Sequence, residues 1–446
     1  MSPDSEDTKN GTYGVLSVAT IISLGGFLDG FNLVALSAVL PFVSASFDIT
    51  SAGIKGLLVG TVFLGGIPGA IILGSMSSRY GRREIFLYDI LLFIVGSIVT
   101  FAAPNLGVFA VGRFISGFAI GGDNAVAWIM LSEMSQSKRR GTFIGYPYVL
   151  WGIAGASTFL ITILLLPYGD LAWRILFAIS VIPSIIVLIV RRTLPESPRW
   201  LASHGQIDLA LDISKRLGLD FNQNNAIQIK ESKYTWKLLF SRKFLSTTLL
   251  VFAVIVFTFY IIIPANLFTP TVMGKLGFEK TVTLGLLAGA LVWIVNLSGF
   301  GFGGVFGDRT GRKRGTYIYI SILLFVSLVL VLFGKSNFYL FLGLWMAIEF
   351  FGTGQLSMST AWIFELFPTR MRGIAGGWGQ GANRFIGFAG SYIIAELIVL
   401  SDRVLFLSLF FAALIVLLIA KFGIKRETVG IKLEDLNELR EMAETL

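Results

Sequence analysis

Apolar residues run along this chain in long blocks rather than in strict alternation. Twelve blocks, at about 14–46, 54–78, 84–103, 106–134, 140–167, 171–191, 244–275, 281–307, 315–334, 337–366, 371–399 and 402–422, are separated by short polar segments. Each supplies roughly the 20 residues that a helix needs to cross a bilayer core of about 30 Å. The pattern predicts an all-α membrane protein of twelve transmembrane helices, with tilt or kinks where a block exceeds one straight crossing. The one long polar stretch, 193–243, carries Ile207, Leu211 and Ile213 at helical spacing between Asp208, Asp212, Lys215 and Arg216, which predicts a short amphipathic helix over 206–217. The chain divides accordingly into a six-helix bundle (1–192), a cytoplasmic linker (193–243), a second six-helix bundle (244–422) and a cytoplasmic tail (423–446).

Composition agrees with a lipid-facing surface. Of 446 residues 54% are hydrophobic and only 14% charged, with a mean hydropathy of +0.77; soluble domains carry about 25% charge. Without cysteine, disulfides, thiolate catalysis and iron–sulfur ligation are excluded, and a single histidine, His204, leaves no basis for a His-based metal site. Residues 1–12 are polar and acidic, unlike a signal peptide, so the first block is expected to remain as a span. Of the 36 Lys and Arg, 28 fall on the side that an inside N-terminus makes cytoplasmic, which predicts that both termini face the cytoplasm of a cell-membrane protein. The net charge of +9 follows from this asymmetry and gives no reason to expect nucleic acid.

The blocks repeat. Arg79-Tyr-Gly-Arg82 recurs as Arg309-Thr-Gly-Arg312, Gly56-Leu-Leu-Val-Gly60 as Gly285-Leu-Leu-Ala-Gly289, and Glu133 with Arg140-Gly141 as Glu365 with Arg372-Gly373, at offsets of 229 to 232. Two parallel repeats of six spans predict a solute site between them near the midplane, exposed alternately to each side as one half rocks on the other.

Gly74-Ser-Met-Ser-Ser78-Arg79-Tyr-Gly81-Arg82-Arg83 and Gly304-Val-Phe-Gly-Asp308-Arg309-Thr-Gly311-Arg312-Lys313 resemble the loop 2–3 and loop 8–9 signature of the major facilitator superfamily. Arg113-x-x-x-Gly117-x-x-x-Gly121-Gly122 and Pro195-Glu-Ser-Pro-Arg-Trp-Leu201 look like signatures of its sugar-porter-related branch, and the segment from Glu365 to Gly373 is similar to that of organic-anion relatives. The resemblance implies the fold of that superfamily and a secondary transporter working as a monomer, with no catalytic residues and the proton gradient in place of a cofactor. It also implies a latch at the cytoplasmic face, formed by Arg79, Gly81, Arg82, Glu133 and Arg140 in one half and Asp308, Arg309, Gly311, Arg312, Glu365 and Arg372 in the other. The first copy departs from the pattern at Ser78, where an acid is usual, so its latch must draw on other contacts.

Charge inside a span is costly and marks solute or proton pathways. Asp29 lies in a polar break, Gly25-Gly-Phe-Leu-Asp-Gly-Phe-Asn32, and Asp123 lies in Gly121-Gly-Asp-Asn124, a segment similar to that of proton-coupled phosphate and organic-solute carriers. The resemblance implies that both acids face one central path, as proton-coupling groups. Arg384 offers a planar fork for a carboxylate or phosphate, or a structural pair with Glu349 or another acid; Glu349 is that partner or itself a substrate-site acid of the cavity. Asn32, Asn124, Tyr260, Asn266 and Gln355 are candidate substrate contacts, with Trp151, Asn296 and Trp362 behind them; Arg113 is more readily a structural or relay residue, and Pro264 and Pro270 can break the seventh span at the cavity. The glycines of 299–304, and Gly376, Gly377, Gly379 and Gly381, are read as helix packing. Because the hydroxyl-binding amides of hexose carriers are largely missing, the sequence favours proton-coupled symport of a small organic anion. A sugar or polyol transporter is the alternative. Behind these stand a solute or drug efflux antiporter and a non-transporting sensor.

Overall fold

A computed structural model describes residues 14–134, 140–219, 236–278, 281–367 and 372–423. Among these residues the fold is all-α. The first bundle contains α1 (Val15–Ser46), α2 (Ala52–Tyr80), α3 (Arg82–Phe101), α4 (Leu106–Glu133) and α5 (Arg140–Leu165), followed by the crossing formed by α6 (Ala172–Ile179) and α7 (Val181–Arg191). Two short helices follow, α8 (Pro198–Ser203) and α9 (Ile207–Arg216), the latter the expected amphipathic segment. The second bundle contains α10 (Leu245–Lys275), α11 (Val282–Thr310), α12 (Arg312–Phe333), α13 (Phe338–Leu366), α14 (Arg372–Leu400) and α15 (Asp402–Leu418). Ten described stretches are long and apolar enough to cross a membrane. One of them, Tyr146–Arg191, folds back at Gly169 (φ +54°) and holds two crossings, and the 29-residue α13 makes the twelfth.

Local chemistry fixes the ends of these helices. The first N–H groups of a helix lack intrahelical partners, and the side chains of Ser51, Asn105, Thr281 and Asn337 accept from them at the starts of α2, α4, α11 and α13. The sequence repeat has a direct structural counterpart: a single glycine, Gly81 (φ +108°) or Gly311 (φ +93°), ends α2 or α11 and starts the next helix. That backbone region favours glycine strongly. Pro264 and Pro270 do not break α10, which runs through both. Pro270 leaves the carbonyl of Asn266 without its helical donor, and Trp293 Nε1 donates to that carbonyl at 3.1 Å instead.

Small residues set how closely the helices approach. A Cβ on Gly65 or Gly69 of α2 would sit 2.1 or 1.9 Å from the carbonyls of Phe114 and Phe118, and one on Gly117 or Gly121 of α4 would sit 2.0 or 2.2 Å from those of Val62 and Gly66. The two backbones therefore touch along a seam that only glycine permits. Gly299 and Gly303 of α11 press in the same way on Phe350 and Gly354 of α13. Gly376, Gly377 and Gly381 do not follow the packing expectation: a Cβ on any of them would meet nothing within 4 Å. Between the bundles, α2 lies along α14 and α5 along α11. Trp173, Trp293, Trp345 and Trp362 are fully buried, whereas Ile71, Leu164, Phe325 and Val399 are exposed on the outside of the bundles, as a lipid-facing surface requires.

Candidate functional site

A cavity of about 60 Å³, measured at the centres of water-sized molecules, lies between the bundles. One side is formed by Gly26, Asp29, Asn124, Pro147 and Trp151 of the first bundle, and the facing side by Phe259, Phe300, Thr360, Gln380 and Arg384 of the second. Glycine brings α1 against α5 here, since a Cβ on Gly26 or Gly30 would sit 2.4 or 2.5 Å from the carbonyls of Pro147 and Trp151. Asp29 Oδ2 accepts from Asn124 Nδ2 at 2.9 Å and from Arg384 Nη2 at 2.9 Å. The second contact is an ion pair between groups only 10% and 9% exposed, and it joins α1 of one bundle to α14 of the other. Asp29 Oδ1, also buried, receives no donor. The walls are aromatic: Tyr148 and Phe300 stack across the interface with centroids 4.4 Å apart, Trp151 meets Trp293 edge-on at 4.7 Å, and Arg384 lies 5.8 Å from the Phe63 ring centroid.

Of the sequence-predicted site residues, Asp29, Asn124 and Arg384 come together. The remainder are elsewhere; of the acids expected as partners for Arg384 it is another, Asp29, and not Glu349 that pairs with it, and the expected shared path of the two aspartates needs correction. Arg384 does not pair with Glu349, whose Oε1 accepts from Asn296 Nδ2 at 2.6 Å inside the second bundle while Asn296 also donates to Asn266 Oδ1 at 3.2 Å. Helix phase explains this, because Glu349 is fully buried and points away from the cavity. Nor do Asp29 and Asp123 face one path. Asp123 forms a close ion pair with Arg191 of α7, within the first bundle, and does not line the central cavity.

Asn32, Tyr260 and Gln355 also lie outside the cavity lining. Asn32 is held by Arg113, which donates to its carbonyl at 2.9 Å and to its side-chain oxygen. Tyr260 donates to Ser408 at 3.0 Å and Gln355 to Thr316 at 3.2 Å. Sequence reasoning passed over Thr360, Gln380 and Asn383 as contacts, although Gln380 and Asn383 flank Arg384 within one helical turn. It also passed over Asp89 and Arg191, whose signal was an acid two turns inside span 3 and a basic residue read as topology alone.

At the basic end the latch residues of the first half form a connected group. Arg82 reaches Glu133 at 3.3 Å and the Ser77 carbonyl at 3.2 Å, and Ser197 donates to Glu133. Glu196 accepts from the backbone N–H groups of Arg82 and Arg83, both at 3.1 Å, and so caps α3 where an acid meets the positive helix end. Burial raises the Glu196 carboxyl above its ordinary range, opposed by bonds from the backbone N–H groups of Ser197, Arg83 and Arg82 and by the Arg82 charge. Where Ser78 replaces the usual acid, its carbonyl accepts from Trp200 Nε1 at 3.1 Å. In the second half Arg312 meets Asp308 at 2.5 Å. Arg79 and Arg309 are exposed; Gly81 and Gly311 hold the turns already described. The side chains of Arg140, Glu365 and Arg372 lie outside the described residues.

Residues 18–439 match the family profile described as "Sugar (and other) transporter". The chain belongs to that family. Members similar to this one include the glucose transporter GlcP of Staphylococcus epidermidis (27% identity over 440 residues, 94% of this chain and 96% of that protein). The niacin transporter NiaP of Acinetobacter baylyi is 24% identical over 394 residues, covering 86% and 87% of the two chains. Among solved structures, the major facilitator superfamily proton:xylose symporter XylE bound to 6-bromo-6-deoxy-D-glucose superposes with a TM-score of 0.78 at 20% identity, over 95% of this chain and 98% of that one. This sugar-transporter family member is a multi-pass membrane secondary transporter with the all-α fold expected from the sequence.

Proposed function

We propose that the chain carries a neutral polyhydroxylated solute, a sugar or polyol, in symport with protons across the cell membrane, with its basic end in the cytoplasm. This reverses the sequence preference for an organic anion. The single observation that carries it is the Asp29–Arg384 pair: the guanidinium that suggested an anion site already has its counter-ion, so among the described residues the cavity lining presents no unmatched cation. Aromatic faces at Trp151, Tyr148 and Phe300 suit the apolar faces of a pyranose ring, and Asn124, Gln380, Asn383 and Thr360 offer amide and hydroxyl partners. Relatives named as a glucose transporter and an arabinose–proton symporter support the same class.

The pair also supplies a coupling device. It ties the bundles together, so rocking requires it to open. A proton on Asp29 removes one charge and releases Arg384; return of the charge restores the tie. Uptake of a radiolabelled panel of hexoses, pentoses and small carboxylates into proteoliposomes under an imposed pH gradient tests this reading. Sugar accumulation abolished by a protonophore is expected; accumulation of carboxylates alone overturns it. The second reading, an organic anion, keeps one favourable feature: once Asp29 is protonated, the freed fork of Arg384 matches a carboxylate in its place, and one relative is a niacin transporter.

A further inference from the structure

Asp89, on α3, has no part in the central cavity. It is 1% exposed, and neither carboxyl oxygen receives a hydrogen bond. It lines a second, smaller cavity of about 10 Å³ together with Gly25, Leu28, Ile120 and Asp123, a space that holds at most one water. Arg191 stands 3.6 Å from Asp89, but its two terminal nitrogens are engaged elsewhere: Nη1 pairs closely with Asp123 and Nη2 donates to the Ile22 carbonyl at 3.1 Å, while the guanidinium lies 3.9 Å from the Phe86 ring centroid and Nε has no acceptor among the described residues.

We propose that Asp89 is a proton-binding residue, and that Asp89, Asp123 and Arg191 form a second proton site off the solute cavity. Two carboxylates and one guanidinium, all ionised, would leave an unbalanced negative charge in the interior, which is expensive. One proton on Asp89 balances the group. The fully ionised alternative would need close donors for Asp89, whereas the nearest cation, Arg191 Nη1, stands 3.6 Å away and is drawn to Asp123.

The other charges on the elements packed on α3 are committed elsewhere; Arg113 of α4, also buried, donates to the backbone and side-chain oxygens of Asn32. α4 presents Asp123 and α7 presents Arg191, while α1 presents Gly25 and Leu28 to the same cavity. α2 carries its cations only near its ends, at Lys55 and Arg79, and Arg174 of α6 is occupied with the carbonyls of Phe101 and Ala103. The location gives the site its use. Gly25 lies one helical turn from Asp29 on the same face of α1, and a Cβ there would fall 1.8 Å from Asp123 Oδ2. Asn124, next to Asp123, donates to Asp29. The cluster is therefore placed to exchange a proton with Asp29 from inside the first bundle.

The inference rests on the proposed symport only for the use of the proton, so its test needs no solute. Infrared pH titration of the purified full-length protein in nanodiscs compares wild type with Asp89→Asn, Asp89→Glu and Asp123→Asn. The expected result is a protonated-carboxyl absorption at neutral pH that Asp89→Asn reduces by one group per chain and Asp89→Glu restores at a shifted frequency. Asp123→Asn should reduce it equally, because Asp89 then ionises as the sole partner of Arg191; this variant also serves if Asp89→Asn does not fold. An absorption unchanged in Asp89→Asn, or unchanged in Asp123→Asn, overturns the proposal. Failure of sugar uptake with these spectra intact would refute the solute reading alone.

Discussion

Arg384 and Arg191 are both buried arginines paired with an aspartate, and they differ in what they connect. Arg384 and Asp29 belong to different bundles and border a cavity. Arg191 and Asp123 belong to the same bundle, with Asp89 as a second acid beside them. A pair that spans two moving bodies contributes to an equilibrium between conformations, whereas a pair inside one body contributes to that body's stability in every conformation. On the proposed reading, the same side-chain chemistry serves a switch between bundles in one place and, through Arg191 and Asp123, a fixture within one bundle in the other, with the exchangeable proton left to Asp89.

The largest expected effect comes from Arg191→Ala, which leaves two acids buried without their cation. Breaking such a pair costs about 3–5 kcal/mol, so thermal unfolding of the purified protein should shift strongly downward or folded protein be lost; a near wild-type midpoint would contradict the fixture role. Arg384→Ala should cost stability less, about 1–3 kcal/mol, because Asp29 can regain water from the cavity. Its main effect should be on transport, with uptake down about tenfold or more, as though about 1.4 kcal/mol or more of coupling were lost. Asp29→Asn sharpens the contrast: gradient-driven accumulation should vanish while solute counterflow persists, and loss of both would remove the coupling role.

Smaller effects are expected at the basic end. Glu196→Gln replaces a carboxylate that accepts from two backbone N–H groups of α3 and should cost about 1 kcal/mol. Burial raises the Glu196 carboxyl, so the native chain keeps this proton to higher pH than the unfolded chain does. Its stabilising contribution is therefore largest below the unfolded value and declines as pH rises through the folded one; Glu196→Gln should flatten that slope in a pH series of unfolding midpoints. Smallest of all is Arg216→Ala, which removes an exposed pair with Asp212 at 2.8 Å. A change of about 0.5 kcal/mol or less is expected from the same measurement.

Much of the architecture was legible because it depends on local pattern. Block length gave the crossings, and the repeated Gly81 and Gly311 turns are visible as repeated motifs. Asp29 and Arg384 stood out because charge is rare in such blocks. Their pairing was not legible: they are 355 residues apart in sequence, and Glu349 competed on equal terms. Only helix phase, set by packing, turns Glu349 towards Asn296 and leaves Arg384 facing Asp29. Asp89 and Arg191 escaped notice for another reason. Arg191 ends its span, where charge is ordinary, Asp89 follows closely on the charged start of α3, and the burial of both depends on how α3, α4 and α7 close around them.

The stacked rings of Tyr148 and Phe300 meet where the two bundles abut, with planes inclined by 17°. The Tyr148 hydroxyl also bonds with Thr360 and Gln380 of the second bundle, so the ring is pinned at its polar tip while its face rests on Phe300. Because both rings also line the cavity, a solute that displaces this stack would loosen a second tie between the halves, beside the charged clasp.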